Sequence, residues 1–253
     1  MEFKDKAVLI TGSSRGIGLA TAGMFLRLGA AVAINGRTEE SVQRAVRRLD
    51  HAGRLMAAPG DVSRPEDCKA IVNKVVDAFN GLDVLVNAAG VCFNAAVEDS
   101  DEALWDQTLN VNLKGTFFCA RYALPALRRR KGVIVNLGSD AGLQGESGLS
   151  VYCAAKGGVV NLTRAMALEL GPDIRVNCVC SGYVDTDMLR RDYIDKTENP
   201  AETEAALKRF SPLNRIATPE EIAQAVVYLS SAQARFITGA ALQIDGGTTA
   251  GQH

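Results

Sequence analysis

Ala7-Val8-Leu9-Ile10-Thr11-Gly12-Ser13-Ser14-Arg15-Gly16-Ile17-Gly18 opens the chain and decides how the rest is read. Residues 7–10 are a short, wholly apolar run, which predicts a strand buried on both faces. The glycines that follow are spaced Gly-x3-Gly-x-Gly. From residue 17 to 28 the apolar spacing turns helical, and Gly29 closes it. Strand, glycine-rich turn and helix in that order make half of a nucleotide-binding unit. Gly12 permits the tight turn, Gly16 lets backbone approach a pyrophosphate, and Gly18 lets the helix pack near the strand. The helix N-terminus, with Ser14, Arg15 and Ile17 beside it, offers free N–H groups and a dipole that favours phosphate.

Further out, apolar runs at 31–34, 55–58, 83–87, 133–137, 174–179 and 241–244 predict six more strands. Helical patterns cover 39–49, 65–79, 104–130 and 152–170, and Pro219 opens another. Strand–helix alternation from end to end predicts an α/β fold: a doubly wound, Rossmann-like parallel sheet with helices on both faces. No linker or repeat interrupts it, so residues 1–253 read as one domain. The exception is 187–213, polar, charged and poor in strand signal, which reads as an inserted flap over a substrate.

Composition excludes several classes. At 47% hydrophobic and 23% charged residues, the chain carries enough apolar surface for a core and is not disordered. The 28 Lys+Arg nearly balance 29 Asp+Glu, so a basic footprint for nucleic acid is missing. No apolar run reaches the roughly 18 to 20 residues of a membrane span. The N-terminus shows no signal-peptide core, which predicts a cytoplasmic protein. Six cysteines, Cys68, Cys92, Cys119, Cys153, Cys178 and Cys180, are read as reduced and mostly buried. The two histidines are His51 and His253, and metal-ligand spacing is missing, so no metal site is expected.

The end of the second strand bears on the cofactor. An NAD site carries an acidic residue about 20 residues past the glycine turn, to grip the ribose 2′-OH. Here the sequence is Asn35-Gly36-Arg37. Arg15 and Arg37 are expected to converge on a 2′-phosphate through charge-assisted hydrogen bonds, favouring NADP(H) over NAD(H). The competing reading makes both arginines solvated surface charges.

Tyr152-Cys153-Ala154-Ala155-Lys156 puts a tyrosine and a lysine one helical turn apart on one face. A lysine charge at ~5 Å, with an effective dielectric of ~20, stabilises a phenolate by about 3 kcal/mol, or roughly two pKa units. Tyr152 is then suited to pass a proton to a carbonyl oxygen as hydride arrives. Ser139 follows the fifth strand, where carboxyl ends line the ligand crevice, and is placed to donate to the same oxygen.

With these residues the chain resembles the short-chain dehydrogenase/reductase family in its roughly 250-residue form. Thr11, Gly12, Gly16 and Gly18 match the family's cofactor turn, and Ser139, Tyr152 and Lys156 its catalytic residues. The resemblance implies that Asp61-Val62 holds the adenine. It also implies that Asn87-Ala88-Ala89-Gly90 lines the cofactor and that Asn112 supports a water-linked proton relay to Lys156, which also bonds the nicotinamide ribose. Gly182, Val184 and Thr186 are implied to hold the carboxamide. Ile237-Thr238-Gly239 and Asp245-Gly246-Gly247 resemble the C-terminal signature. Ser181 stands where the family has proline, which would stiffen the loop, so a looser segment is expected there. The family also implies a homotetramer, with Trp105, Phe117 and Phe118 packing on the long helix that builds a dimer face.

The expected reaction is hydride transfer between NADP(H) and a small-molecule carbonyl or secondary alcohol. Three alternatives stand beside it: an NAD(H)-dependent sugar or polyol dehydrogenase, an epimerase or dehydratase that retains its nucleotide, and a non-catalytic nucleotide-binding protein. Asp140, Gln144 and Glu146 are candidates for the substrate mouth, with ordinary loop polarity as the bland reading. Arg128-Arg129-Arg130-Lys131 reads as a solvated helix end rather than a docking patch for an acidic carrier.

Overall fold

The computed structural model describes residues 2–49 and 54–251. His51 and His253 lie outside the described residues. Within them, no group of three His, Cys, Asp or Glu side chains is placed to hold a metal, and no helix is long and apolar enough to cross a membrane.

Seven strands form one parallel sheet: β1 (Ala7–Thr11), β2 (Ala31–Ile34), β3 (Leu55–Ala57), β4 (Val84–Asn87), β5 (Val133–Leu137), β6 (Arg175–Ser181) and β7 (Ala241–Ile244). Their order is β3-β2-β1-β4-β5-β6-β7. Helices α1 (Gly16–Arg27), α2 (Glu39–Arg48), α3 (Pro65–Phe79), α4 (Glu102–Leu109), α5 (Gly115–Arg130), α6 (Ser150–Leu170), α7 (Asp187–Arg190), α8 (Pro200–Phe210) and α9 (Pro219–Ser230) surround it. Side chains alternate across the sheet, so each strand feeds two cores. Val8 and Ile10 join Phe25 and Val226 on one face. Leu9 joins Ile71, Leu127 and Met166 on the other. Leu9 is fully buried, and truncating such a side chain to alanine costs about 2–5 kcal/mol.

The order reverses beside β1, which pairs with β2 on one side and β4 on the other. Connections therefore leave the sheet in opposite directions there and open a crevice at the carboxyl ends. In that crevice Thr11 sits opposite Asn87.

The expected helix over 104–130 is interrupted. Residues Asn110–Lys114 form a single π-helical turn between α4 and α5. Asn112 Nδ2 donates to the Thr108 carbonyl at 2.9 Å, occupying an acceptor that a backbone N–H takes in a regular helix. On these helices Trp105 and Phe117 are exposed, whereas Phe118 packs against a core.

One more expectation needs correcting. Ser181 does not loosen its segment. It is buried and ends β6 in register with Ile244, so sheet pairing supplies the restraint expected from proline. The 187–213 region is helical, built from α7, a short 3-10 turn and α8. Arg190 ties it together by pairing with both Asp185 and Glu204. Lys208 and Arg190, both hydrogen-bonded to it, hold the Glu204 carboxyl down to about 2.

Candidate active site

The glycine turn after β1 is built by close backbone approach. Gly12 has φ +62°, and a Cβ there would lie 2.4 Å from Ala89 Cα. A Cβ on Gly18 would lie 2.7 Å from the Gly12 carbonyl oxygen, which is the strand–helix packing expected of it. Gly16, at φ +54°, faces the Thr186 methyl, so the loop after β6 closes over the turn. Arg15 precedes α1 without capping it by its side chain, and the first turn holds no acidic residue. The N–H groups of that turn are thus open to an anion.

Asn35, read in sequence only as the absence of a carboxylate, braces this turn. It accepts from the Gly12 N–H at 3.2 Å and donates to the carbonyls of Ala58 at 2.8 Å and Gly60 at 3.1 Å. Thr11 Oγ1 accepts from the Ala88 and Ala89 N–H groups and so fixes the segment after β4. A polar residue directly after an apolar strand was the available signal for both. Ser14 lies against Gly36. Arg37 is exposed. Arg15 reaches Asp187 at 3.9 Å and Asp192 at 3.8 Å. The two arginines therefore do not form a ready-made pair, because the first leans toward the acidic start of the flap.

Asp61 accepts from the Ser63 N–H at 2.9 Å, and Val62 is buried beside it. Asn87 donates to Asn136 Oδ1 at 2.9 Å, and Asn136 donates to Thr163 Oγ1 at 2.9 Å, so a buried polar chain ties β4, β5 and α6. Asn87 Oδ1 and Asn112 Oδ1 are buried acceptors without a donor. The latter lies 2.9 Å from the position of a Cβ on Gly90, and Lys156 Nζ lies 3.7 Å from the same point. Gly90 therefore keeps open the space between that amide and that ammonium. Gly182 packs against Asp245, Val184 bridges to Ala217, and Thr186 caps α7.

Ser139, Tyr152 and Lys156 meet at the carboxyl end of β5. Lys156 is buried, and its Nζ donates to the Leu137 carbonyl at 2.8 Å. Its ammonium lies 5.6 Å from the centre of the Tyr152 ring. Burial pulls the Lys156 ammonium below its ordinary range. Burial also pushes the Tyr152 phenol well up, while a hydrogen bond with Ser139 pulls the other way. Burial thus acts against the lowering of about two pKa units expected from Coulomb attraction to the ammonium.

Asp140 and Glu146, the candidates for the substrate mouth, each have a protein partner. Ser139 Oγ donates to Asp140 Oδ1 at 2.9 Å. Tyr183 Oη donates to Glu146 Oε1 at 2.5 Å, joining the loop after β6 to the loop before α6. Gln144 is exposed. Tyr183 also lines a cavity of about 190 Å³ together with Ser211, Leu213, Ile244 and Asp245. All six cysteines are free, four of them buried and Cys92 and Cys153 half-buried. Burial pushes the Cys92 thiol up to about 12. The Arg128–Lys131 run is exposed, and Arg130 donates to the Asn80 carbonyl.

Comparison with known proteins gives consistent matches. The family model described as Enoyl-(Acyl carrier protein) reductase matches residues 12–249. The chain is 41% identical over 251 residues to 2-(S)-hydroxypropyl-CoM dehydrogenase 3 of Xanthobacter autotrophicus, covering 98% of both. It is 40% identical to meso-2,3-butanediol dehydrogenase of Serratia marcescens, over 99% of this chain and 97% of that one. It is 37% identical to the 3-oxoacyl-(acyl-carrier-protein) reductase of Chlamydia muridarum, over 96% of this chain and 97% of that one.

Proposed function

The chain belongs to the short-chain dehydrogenase/reductase family of oxidoreductases, and from that premise we propose that it interconverts a small-molecule carbonyl and a secondary alcohol with NADP(H). The observation that carries this reading is the meeting of Tyr152 with the buried Lys156 and Ser139 at the carboxyl end of β5.

A nicotinamide dinucleotide fits the residues present. The open first turn of α1 suits its pyrophosphate, and the unpartnered acceptors on Asn87 and Asn112 suit ribose hydroxyls or an ordered water. When bound, it supplies or accepts the hydride. Gly12, Ser14, Arg15, Gly16, Ile17 and Gly18 would hold the pyrophosphate end, and Asp61 and Val62 the adenine. Asn87, Ala88 and Gly90 would line the ribose side, and Gly182, Val184 and Thr186 the carboxamide. Arg37, exposed and next to the turn, is the first contact for a 2′-phosphate. Arg15 becomes the second on leaving its flap carboxylates.

Burial keeps the Tyr152 phenol protonated, the form a carbonyl reduction consumes. Tyr152 donates that proton to the substrate oxygen, and Ser139 orients the same oxygen. Lys156 holds positive charge beside the phenol as negative charge develops on it, and would also bond the nicotinamide ribose of a bound cofactor. Asn112, across the gap that Gly90 leaves open, steadies a water through which Lys156 returns a proton.

Residues 1–253 act as one domain, with 187–213 as the substrate flap, and the protein works in the cytoplasm as a homotetramer. The exposed Trp105, Phe117 and Leu168 on α4, α5 and α6 support self-association.

One observation favours a second reading. Arg15 is already engaged by Asp187 and Asp192, which suits an NAD(H)-dependent polyol dehydrogenase, and the Serratia marcescens relative acts on a diol by name. Turnover of a carbonyl panel with NADPH and with NADH tests both. A preference for NADH of about tenfold, 1.4 kcal/mol, overturns the NADP(H) assignment. No turnover of any carbonyl overturns the reaction itself.

A further inference from the structure

We propose that Asp140 is a positioning residue that decides which way the Ser139 hydroxyl points, and so whether the site receives a carbonyl or an alcohol oxygen. This rests on the oxidoreductase reading above and deepens it.

Asp140 is 6% exposed and directly follows Ser139. Its Oδ1 accepts from Ser139 Oγ at 2.9 Å and from the Ala141 N–H at 2.9 Å. None of the ion pairs among the described residues involves it. Lys156 of α6 donates to the Leu137 carbonyl instead. The charged and titratable groups facing Asp140 are Glu146 from the following loop and Asp245 from the end of β7. Tyr152 of α6, Cys180 of β6 and Tyr183 of the loop after it face it as well. All are acidic or neutral, and burial already pushes the Asp140 carboxyl above its ordinary range. A carboxyl so placed keeps its proton to a higher pH than a solvated one.

A hydroxyl has one proton and can donate it to one partner at a time. Ionised Asp140 takes the Ser139 proton. Ser139 Oγ, which already accepts from the Ala141 N–H at 3.3 Å, is then left with one open acceptor position, which suits an alcohol O–H or the Tyr152 phenol but offers a carbonyl oxygen nothing. Protonated Asp140 donates to Ser139 Oγ and frees the serine proton to point at a carbonyl oxygen. No covalent bond changes in this rearrangement, and the single proton exchanged comes from solvent.

The test is the pH profile of kcat/KM for carbonyl reduction in wild type and Asp140→Asn. The probe is the fastest substrate among 2,3-butanedione, cyclohexanone, dihydroxyacetone and acetoacetyl-CoA. In wild type, kcat/KM should fall about fivefold as Asp140 ionises, the worth of one net hydrogen bond. That limb should lie below the one due to Tyr152 and be missing from Asp140→Asn, which keeps an acceptor but cannot titrate. The reverse reaction should gain over the same pH window in wild type only. Should Asp140→Asn not fold, Asp140→Ser serves the same comparison, and a merely structural role would lower activity without reshaping the profile. Superimposable profiles overturn the inference while leaving the oxidoreductase reading standing. No turnover of any probe by wild type overturns both.

Discussion

Lys156 Nζ lies over the Tyr152 ring, 5.6 Å from its centre, while donating to the Leu137 carbonyl at 2.8 Å. A cation held by a backbone oxygen at the end of β5 cannot swing away from the phenol. The phenol is therefore protonated by burial yet faces a positive charge that favours its anion once the proton leaves. Tyr152→Phe should lower turnover by about 10²–10⁴-fold, the usual worth of a general acid. NADPH affinity by calorimetry should change little, and retained turnover would remove Tyr152 from the chemistry.

Gly12 is the position where the nucleotide turn and β4 touch backbone to backbone. A methyl group there would collide with Ala89 and stand at a φ that alanine resists. Gly12→Ala should cost about 2–4 kcal/mol through overpacking and strain together. Thermal denaturation would show a lowered Tm, with cofactor binding lost in parallel. An unshifted Tm would mean that the turn relaxes more freely than its contacts allow.

Arg37 is exposed, whereas Arg15 is shared with Asp187 and Asp192 at distances where solvent screens much of the attraction. Arg37→Asp should therefore carry most of the cofactor switch, cutting kcat/KM with NADPH by about tenfold or more while sparing NADH. Asp187→Asn should improve NADPH use by releasing Arg15. An opposite sign for either variant would place the 2′-phosphate elsewhere.

Asp140 also makes a stability prediction with a definite sign. Its carboxyl is raised in the folded chain, so the folded state binds the extra proton. The favourable contribution is full below the unfolded carboxylate range and is lost as pH rises through the folded value. Asp140→Asn, which avoids burying a charge, should have a higher Tm than wild type at pH 8 and lose that advantage in acid. A lower Tm at both pH values would mean that the ionised carboxylate is net stabilising.

Cys92 is half-buried near Tyr152, with its thiol pushed up to about 12, so at pH 8 only about one molecule in ten thousand carries the thiolate. Iodoacetamide should label it far more slowly than an exposed thiol, as peptide mass spectrometry would record. Rapid labelling would show a more open mouth than this geometry holds.

The apolar runs of β1, β2, β4, β5, β6 and β7, and the glycine spacing after β1, determined the sheet, its parallel sense and the placement of a phosphate turn. They did so because strands of a parallel sheet covered by helices are mostly apolar, and because only glycine fits where backbones meet at 2.4 Å. The motif spacing also named Ser139, Tyr152, Lys156 and Asn112 as candidates. The π turn at Asn110–Lys114 was not legible, since it arises when one side chain captures the Thr108 carbonyl. Neither was the engagement of Arg15 by the flap, which depends on where α7 packs. The rise of the Tyr152 phenol was also decided only in three dimensions. Charge separation can be read from spacing along a helix, but desolvation depends on every atom that the fold brings around the group.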